Sequence, residues 1–155
     1  MELSTEGIDL IKKSEGFRSR VYLDVEGNPT IGYGHRLIHP EAFPNGITET
    51  QGTAILYCDV REAEQSLARL VKVPLTQGQF DALVDFVFNL GQVRLAESTL
   101  LRELNAGRIT EAGEQLLRWD HAGALVNAGL KARREAELRL WNGASFEPPE
   151  PTLAS

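Results

Sequence analysis

Two consecutive helices declare their ends between residues 48 and 91, and a chain that carries them is committed to a helical lobe. Thr48 with Gln51 reads as a capping box, in which the hydroxyl accepts from a first-turn amide while the glutamine side chain returns to the cap amide. Beyond it Ala54, Ile55, Cys58, Ala63, Leu67, Leu70 and Val71 keep helical spacing up to Pro74, roughly six turns at ~3.6 residues each. A second box, Thr76 with Gln79, opens a strongly apolar helix through Phe80, Leu83, Val84, Val87 and Leu90, ended by Gly91. Neither apolar face can be buried alone, so further helices must pack on them. Ser98 to Ala106, Thr110 to Trp119 and Leu130 to Trp141 supply candidates, with Gly107 and Gly143 as terminators of the first and last.

The first fifty residues obey a different rule. Ser4 or Thr5 caps a short helix with Glu6 and Asp9 early and Lys12 and Lys13 late, the order that a helix dipole favours. Its apolar face runs through Ile8 and Ile11, and Glu15 stands four residues on, where the buried stripe would continue. From Val21 to Tyr33 the segments Val21-Tyr22-Leu23 and Thr30-Ile31 are β-prone, and Glu26-Gly27-Asn28-Pro29 between them carries turn chemistry. Gly32 and Gly34 leave backbone open on both sides of Tyr33, and Pro40 to Gly46 reads as a loop. The expectation is an α+β domain over residues 1–143: a small N-terminal antiparallel sheet lobe at about 15–47, a connecting helix at 49–72 and a larger helical lobe at 76–143. Residues 144–155 hold three of the seven prolines and lack a periodic apolar face, so they read as a disordered tail.

Charge and cysteine usage narrow the partners. A net charge of -6 disfavours a polyanionic ligand such as nucleic acid, which normally requires clustered Lys and Arg. Cys58 is the single cysteine, which rules out an intramolecular disulfide; it reads as a small buried helix residue. The N-terminus is acidic where a signal peptide is basic, and no stretch approaches the ~20 apolar residues that span a bilayer. The chain is therefore expected to be made in the cytoplasm, with no stable membrane insertion. His35 and His39 lie between Gly34 and Pro40 with no cysteine or third histidine nearby, so no metal site is expected, and no phosphate loop or activated nucleophile points to a cofactor.

Chemistry gathers between residues 15 and 30. A carboxyl ending a buried apolar stripe is pushed toward its protonated form by desolvation, whereas Asp24, at a strand end beside a turn, stays wet and ionised. Two carboxyls in contrasting surroundings suit an acid and base pair of the kind that cleaves glycosidic bonds. Thr30, on the return strand, is expected to present its hydroxyl to the same place and to hold a water with Asp24.

The strings Glu15-Gly16-Phe17-Arg18, Tyr22-Leu23-Asp24 and Gly27-Asn28-Pro29-Thr30-Ile31-Gly32-Tyr33-Gly34-His35 closely resemble the active-site segment of the phage-type lysozymes. The resemblance includes that family's spacing of Glu, eight residues, Asp, five residues, Thr. It continues through Gln79-Phe80-Asp81-Ala82-Leu83, Phe88-Asn89-Leu90-Gly91, Ser98-Thr99-Leu100-Leu101, Trp119 and Gly129-Leu130 with Arg133-Arg134-Glu135, and covers about residues 4 to 143. It implies a lysozyme-like fold and an endolysin muramidase that hydrolyses the β-1,4 bond between N-acetylmuramic acid and N-acetylglucosamine of peptidoglycan by single-displacement inversion. In that scheme Glu15 is the general acid, while Asp24 and Thr30 orient water. It further implies a monomer without cofactor or metal that reaches the periplasm or cell wall through a lesion made by a holin.

By the same correspondence Tyr33, Gly34, Phe88 and Asn89 are candidates for the cleft walls. His35 reads as a structural hydrogen-bonding histidine, and Arg118, Arg133 and Arg134 as helix arginines that are solvated or paired with Glu135 and Glu137. A lytic transglycosylase and a non-catalytic peptidoglycan-binding relative are the competing readings; the first would leave Asp24 and Thr30 without a task. The chain departs from the basic members in its charge, which remains -4 when Glu147 and Glu150 of the tail are set aside.

Overall fold

A computed structural model describes residues 1–151. Helix α1 (Thr5–Glu15) is capped by the Ser4 hydroxyl, which accepts from the Gly7 amide, and ends at Gly16, whose φ of 71° turns the chain away. Strands β1 (Arg18–Leu23), β2 (Pro29–Gly32) and β3 (His35–Arg36) form an antiparallel sheet in the order β1-β2-β3. Tyr22 lies opposite Thr30, Thr30 opposite Arg36, and β1 carries an irregularity between Arg18 and Tyr22. A 3-10 turn at Pro40–Ala42 leads into α2 (Glu49–Leu70), 22 residues long, whose Thr48–Gln51 capping box is complete in both directions.

The helical lobe is organised around α3 (Gln77–Leu90), which opens on the second complete capping box and buries every residue from Gln79 to Val87. It packs against α1, α2, α4 (Gln92–Ala96) and α7 (Ala128–Trp141). Helices α5 (Thr99–Asn105) and α6 (Ile109–Gln115) close the lobe together with a 3-10 turn at Leu116–Arg118. Although first in sequence, α1 belongs to this lobe: Ile8, Leu10 and Ile11 share one core with Leu56, Val60, Phe80, Leu83, Phe86 and Leu100. That placement leaves the last residue of α1 facing the sheet.

The α+β architecture expected from the sequence is the one observed, with local differences. On α2 the buried line is Leu56, Val60, Ala63 and Leu67, so Cys58, two positions out of phase with it, is exposed rather than buried. Thr110 to Trp119 is not one helix but α6 followed by the 3-10 turn. A hairpin of β4 (His121–Ala122) and β5 (Leu125–Val126) follows; its Ala122-Gly123-Ala124 tip has no β propensity by which it could be read.

The expectation of a disordered segment from residue 144 is corrected for its first residues. Phe146 is buried in the core, its amide donates to Glu6 Oε1, its carbonyl accepts from Arg139 Nε, and Glu147 pairs with Lys13. One aromatic side chain, reached by a short run past Gly143, anchors the segment where periodicity has too few residues to register. Residues 152–155 of that expectation lie outside the described residues.

Candidate active site

A cleft of about 780 Å³ opens between the sheet, the middle of α2 and the C-terminal end of α3. Glu15, Asp24, Thr30, Gly34, His35, Asp59, Phe88 and Asn89 are among the residues that line it.

Glu15 enters from the end of α1. Its Oε1 accepts a 2.8 Å bond from Arg133 Nη1 on α7, and its Oε2 rests against the backbone of Gly34, where an added Cβ would lie only 2.7 Å away. The apolar surroundings expected at the end of the stripe are therefore not what its oxygens meet. Ile8 and Ile11 are buried as expected, but Glu15, the last residue of α1, presents its carboxylate to a guanidinium.

Arg133 is itself buried and gives Asp85 of α3 a two-pronged bond, Nε to Oδ2 at 2.9 Å and Nη2 to Oδ1 at 2.8 Å. Burial opposes ionisation of Asp85, yet the Arg133 charge and hydrogen bonds prevail and hold its carboxyl below the ordinary value. Arg134, fully enclosed beside it, donates from Nη2 to Glu137 Oε1 and to Asn89 Oδ1, each at 2.7 Å. Burial, reinforced by the negative charge of Asp85, pushes the Glu137 carboxyl well above its usual range.

Asp24 stands where β1 turns toward β2. Its Oδ1 accepts from the amides of Asn28 at 2.8 Å and Glu26 at 2.9 Å, and its Oδ2 lies 3.6 Å from Arg36 Nε. The Asn28 amide foremost, against some desolvation, keeps this carboxyl below its ordinary value. The turn residues Glu26 and Asn28 thus do more than reverse the chain: their amides hold the anion. Thr30 on β2 is 2% exposed, and its Oγ1 donates a 2.9 Å bond to the Asn28 carbonyl. With its proton so committed, the hydroxyl has only lone pairs to offer the cleft.

Of the four wall candidates, Gly34, Phe88 and Asn89 line the cleft and Tyr33 does not. Tyr33 is buried in the core, packs its ring at a tilt 5.4 Å from that of Phe17 and donates from its hydroxyl to Glu49 Oε1 at 2.6 Å. The backbone at Gly32 and Gly34, with φ of 64° and 74°, gives the strand a course that keeps Gly34 at the cleft while Tyr33 packs into the core. His35 Nδ1 lies 2.8 Å from Asp59 Oδ2, a pair that ties β3 to α2. Burial raises the Asp59 carboxyl against the opposing effect of His35.

Arg134 pairs with Glu137 as expected, but Arg133 is neither solvated nor paired with its helix neighbours, and it is the residue that touches Glu15. A signal for it exists in the sequence: Asp85 is a carboxylate inside the apolar run from Ala82 to Phe88, and such a group demands a cationic partner from another element.

Comparison with known proteins places this geometry in context. Residues 12–137 match the family model described as phage lysozyme. An endolysin of Bacillus phage B103 is 43% identical over 145 residues, which are 91% of this chain and 54% of that protein, so the chain spans about half of that relative's length. An endolysin of Acyrthosiphon pisum secondary endosymbiont phage 1 is 38% identical over 93% of this chain and its own whole length. Among solved structures, the muramidase domain of SpmX from Asticaccaulis excentricus superposes with a TM-score of 0.82 at 36% identity, covering 90% of this chain and 97% of that one.

Proposed function

The chain belongs to the phage lysozyme family, and on that premise we propose that it is an endolysin muramidase that hydrolyses the β-1,4 bond between N-acetylmuramic acid and N-acetylglucosamine in peptidoglycan. The observation that carries the reading is that Glu15, from the helical lobe, and Asp24 and Thr30, from the sheet, line one cleft.

In this mechanism protonated Glu15 gives its proton to the leaving glycosidic oxygen, and the negative charge left on its carboxylate develops beside the Arg133 guanidinium. A water donates to Asp24 and to the acceptor-only Thr30 hydroxyl, which turns its own lone pair toward the anomeric carbon. As the C–O bond to water forms, the surplus proton passes to Asp24. The leaving group departs from the opposite face, so the configuration inverts. Solvent then returns a proton to Glu15 and takes one from Asp24. Gly34, Phe88 and Asn89 form the walls against which the sugars lie. A single chain suffices for these steps, and no cofactor enters them.

Peptidoglycan lies outside the membrane, and among the described residues no helix is long and apolar enough to cross one. We propose access from the cytoplasm through a holin lesion. The test is clearing of outer-membrane-permeabilised cells by the wild type and by Glu15→Gln. Loss of clearing in a folded variant supports the assignment, and equal activity refutes it. Mass spectrometry of the products must find one water added per cut, and NMR must find the inverted anomer first.

A further inference from the structure

Behind the contact between Arg133 and Glu15 lie charges that the hydrolytic steps leave unused. Arg133 has five N–H donors, of which Nε and Nη2 form the fork on Asp85 and only Nη1 reaches Glu15. Its charge is therefore shared, with the larger part of its hydrogen bonding spent on the residue farther from the cleft. The groups around this chain of contacts are Arg133, Arg134 and Glu137 on α7, Asp85 on α3, Glu15 on α1 and Tyr22, which feels Glu15 from β1.

Two guanidiniums face Asp85, Glu137 and Glu15, and with the proton on Glu137 the single negative charge of Asp85 leaves one positive charge to act on Glu15. A buried carboxyl oxygen that no donor reaches favours the protonated form. Glu137 Oε1 accepts from Arg134, whereas its buried Oε2 has no donor directed at it. An oxygen in that position is suited to carry the proton and direct it at Asp85.

We propose that Asp85 is a positioning residue for catalysis: by holding most of Arg133, it limits the pull of that guanidinium on Glu15 and so lets Glu15 keep the proton it must donate. Glu137 is the neutral member that completes the cluster. The proposal rests on Glu15 being the general acid. If Asp85 is made neutral, Glu15 becomes the only carboxylate bonded to Arg133 and the nearby negative charge is lost; both changes stabilise the ionised Glu15.

The experiment compares wild type, Asp85→Asn and Glu137→Gln by the pH profile of kcat and by NMR titration of 13C-carboxyl glutamate, with the Glu15 signal identified by its loss in Glu15→Gln. Asp85→Asn moves the Glu15 midpoint and the alkaline limb of kcat down by about 1 pH unit with KM little changed. An unmoved midpoint in folded Asp85→Asn overturns the proposal. Glu137→Gln replaces one neutral group by another and keeps the midpoint within about 0.3 unit of wild type. A larger displacement shows that Glu137 carries charge and overturns the assignment, and this outcome can be read even if Asp85→Asn does not fold. Because the titration does not need turnover, it stands apart from the functional reading. Activity retained by Glu15→Gln would sink that reading, whereas a fixed midpoint alongside an inactive Glu15→Gln sinks only the role of Asp85.

Discussion

Gly34→Ala is the substitution in which backbone, packing and catalysis can be separated most cleanly. Gly34 has φ +74°, and a methyl group there meets Glu15 Oε2 at 2.7 Å and Cδ at 3.3 Å. The left-handed backbone alone costs a non-glycine residue about 1–2 kcal/mol. To restore a contact of ~3.3 Å the carboxylate must retreat by roughly 0.6 Å. It is not free to do so, since Arg133 holds its other oxygen at 2.8 Å. A displacement of that size at the proton donor lowers kcat by roughly 10- to 100-fold. Gly107→Ala supplies the control, because Gly107 has a similar φ of +82° and nothing within 4 Å of its added Cβ. Urea denaturation should find comparable stability losses in the two variants, and initial rates of cell clearing or reducing-sugar release should fall only in Gly34→Ala. Equal kcat in the two would refute the idea that the absence of a Cβ at Gly34 positions Glu15.

Three further outcomes follow from other parts of the molecule. The Glu137 carboxyl is raised above its ordinary 4.5, so its contribution to stability is fully present below the unfolded value and is lost as pH rises toward the folded one. Relative to wild type, Glu137→Gln therefore gains stability by about 1.4 kcal/mol per pH unit in that window, and parallel stability curves from denaturant titrations at pH 5, 6 and 7 would contradict it. At Gly78 an added Cβ would overlap the carbonyl oxygen of Leu140, where α3 and α7 approach backbone to backbone; Gly78→Ala should lower stability by about 3 kcal/mol, read by thermal or urea unfolding. With a net charge of -6, lysis should be inhibited by added salt less than lysis by a basic member of the family, and strong inhibition in a salt series would oppose this.

The catalytic candidates are legible in the sequence because a hydrolytic pair needs particular residue types in contrasting surroundings, and the segment from Glu15 to Thr30 supplies them within one local stretch. What surrounds them is legible only in part. The position of Glu15 after Ile8 and Ile11 suggests an apolar environment, but a helix stripe describes what lies beside a residue along one element and not what arrives from residue 133. Correspondence alone puts Tyr33 in the cleft, and two glycines with positive φ place it in the core instead. Phe146 resembles part of a featureless tail because a single aromatic anchor has no period.

The sequence by itself determined where α2 and α3 begin, since the capping boxes of Thr48 with Gln51 and Thr76 with Gln79 are each closed within four residues. It also determined that the Asp24 turn could be built from local amides, as the contacts with Glu26 and Asn28 span two and four residues. Only the tertiary structure decided which charge stands beside Glu15. The Arg133–Glu15 contact joins positions 118 residues apart and the Arg133–Asp85 contact positions 48 apart. No local pattern specifies such partners; they are selected by packing α7 and α1 on the buried helix α3. The physical reason is that a carboxylate enclosed by an apolar helix must find its counter-charge on another element, and the route it takes runs through the acid at the cleft.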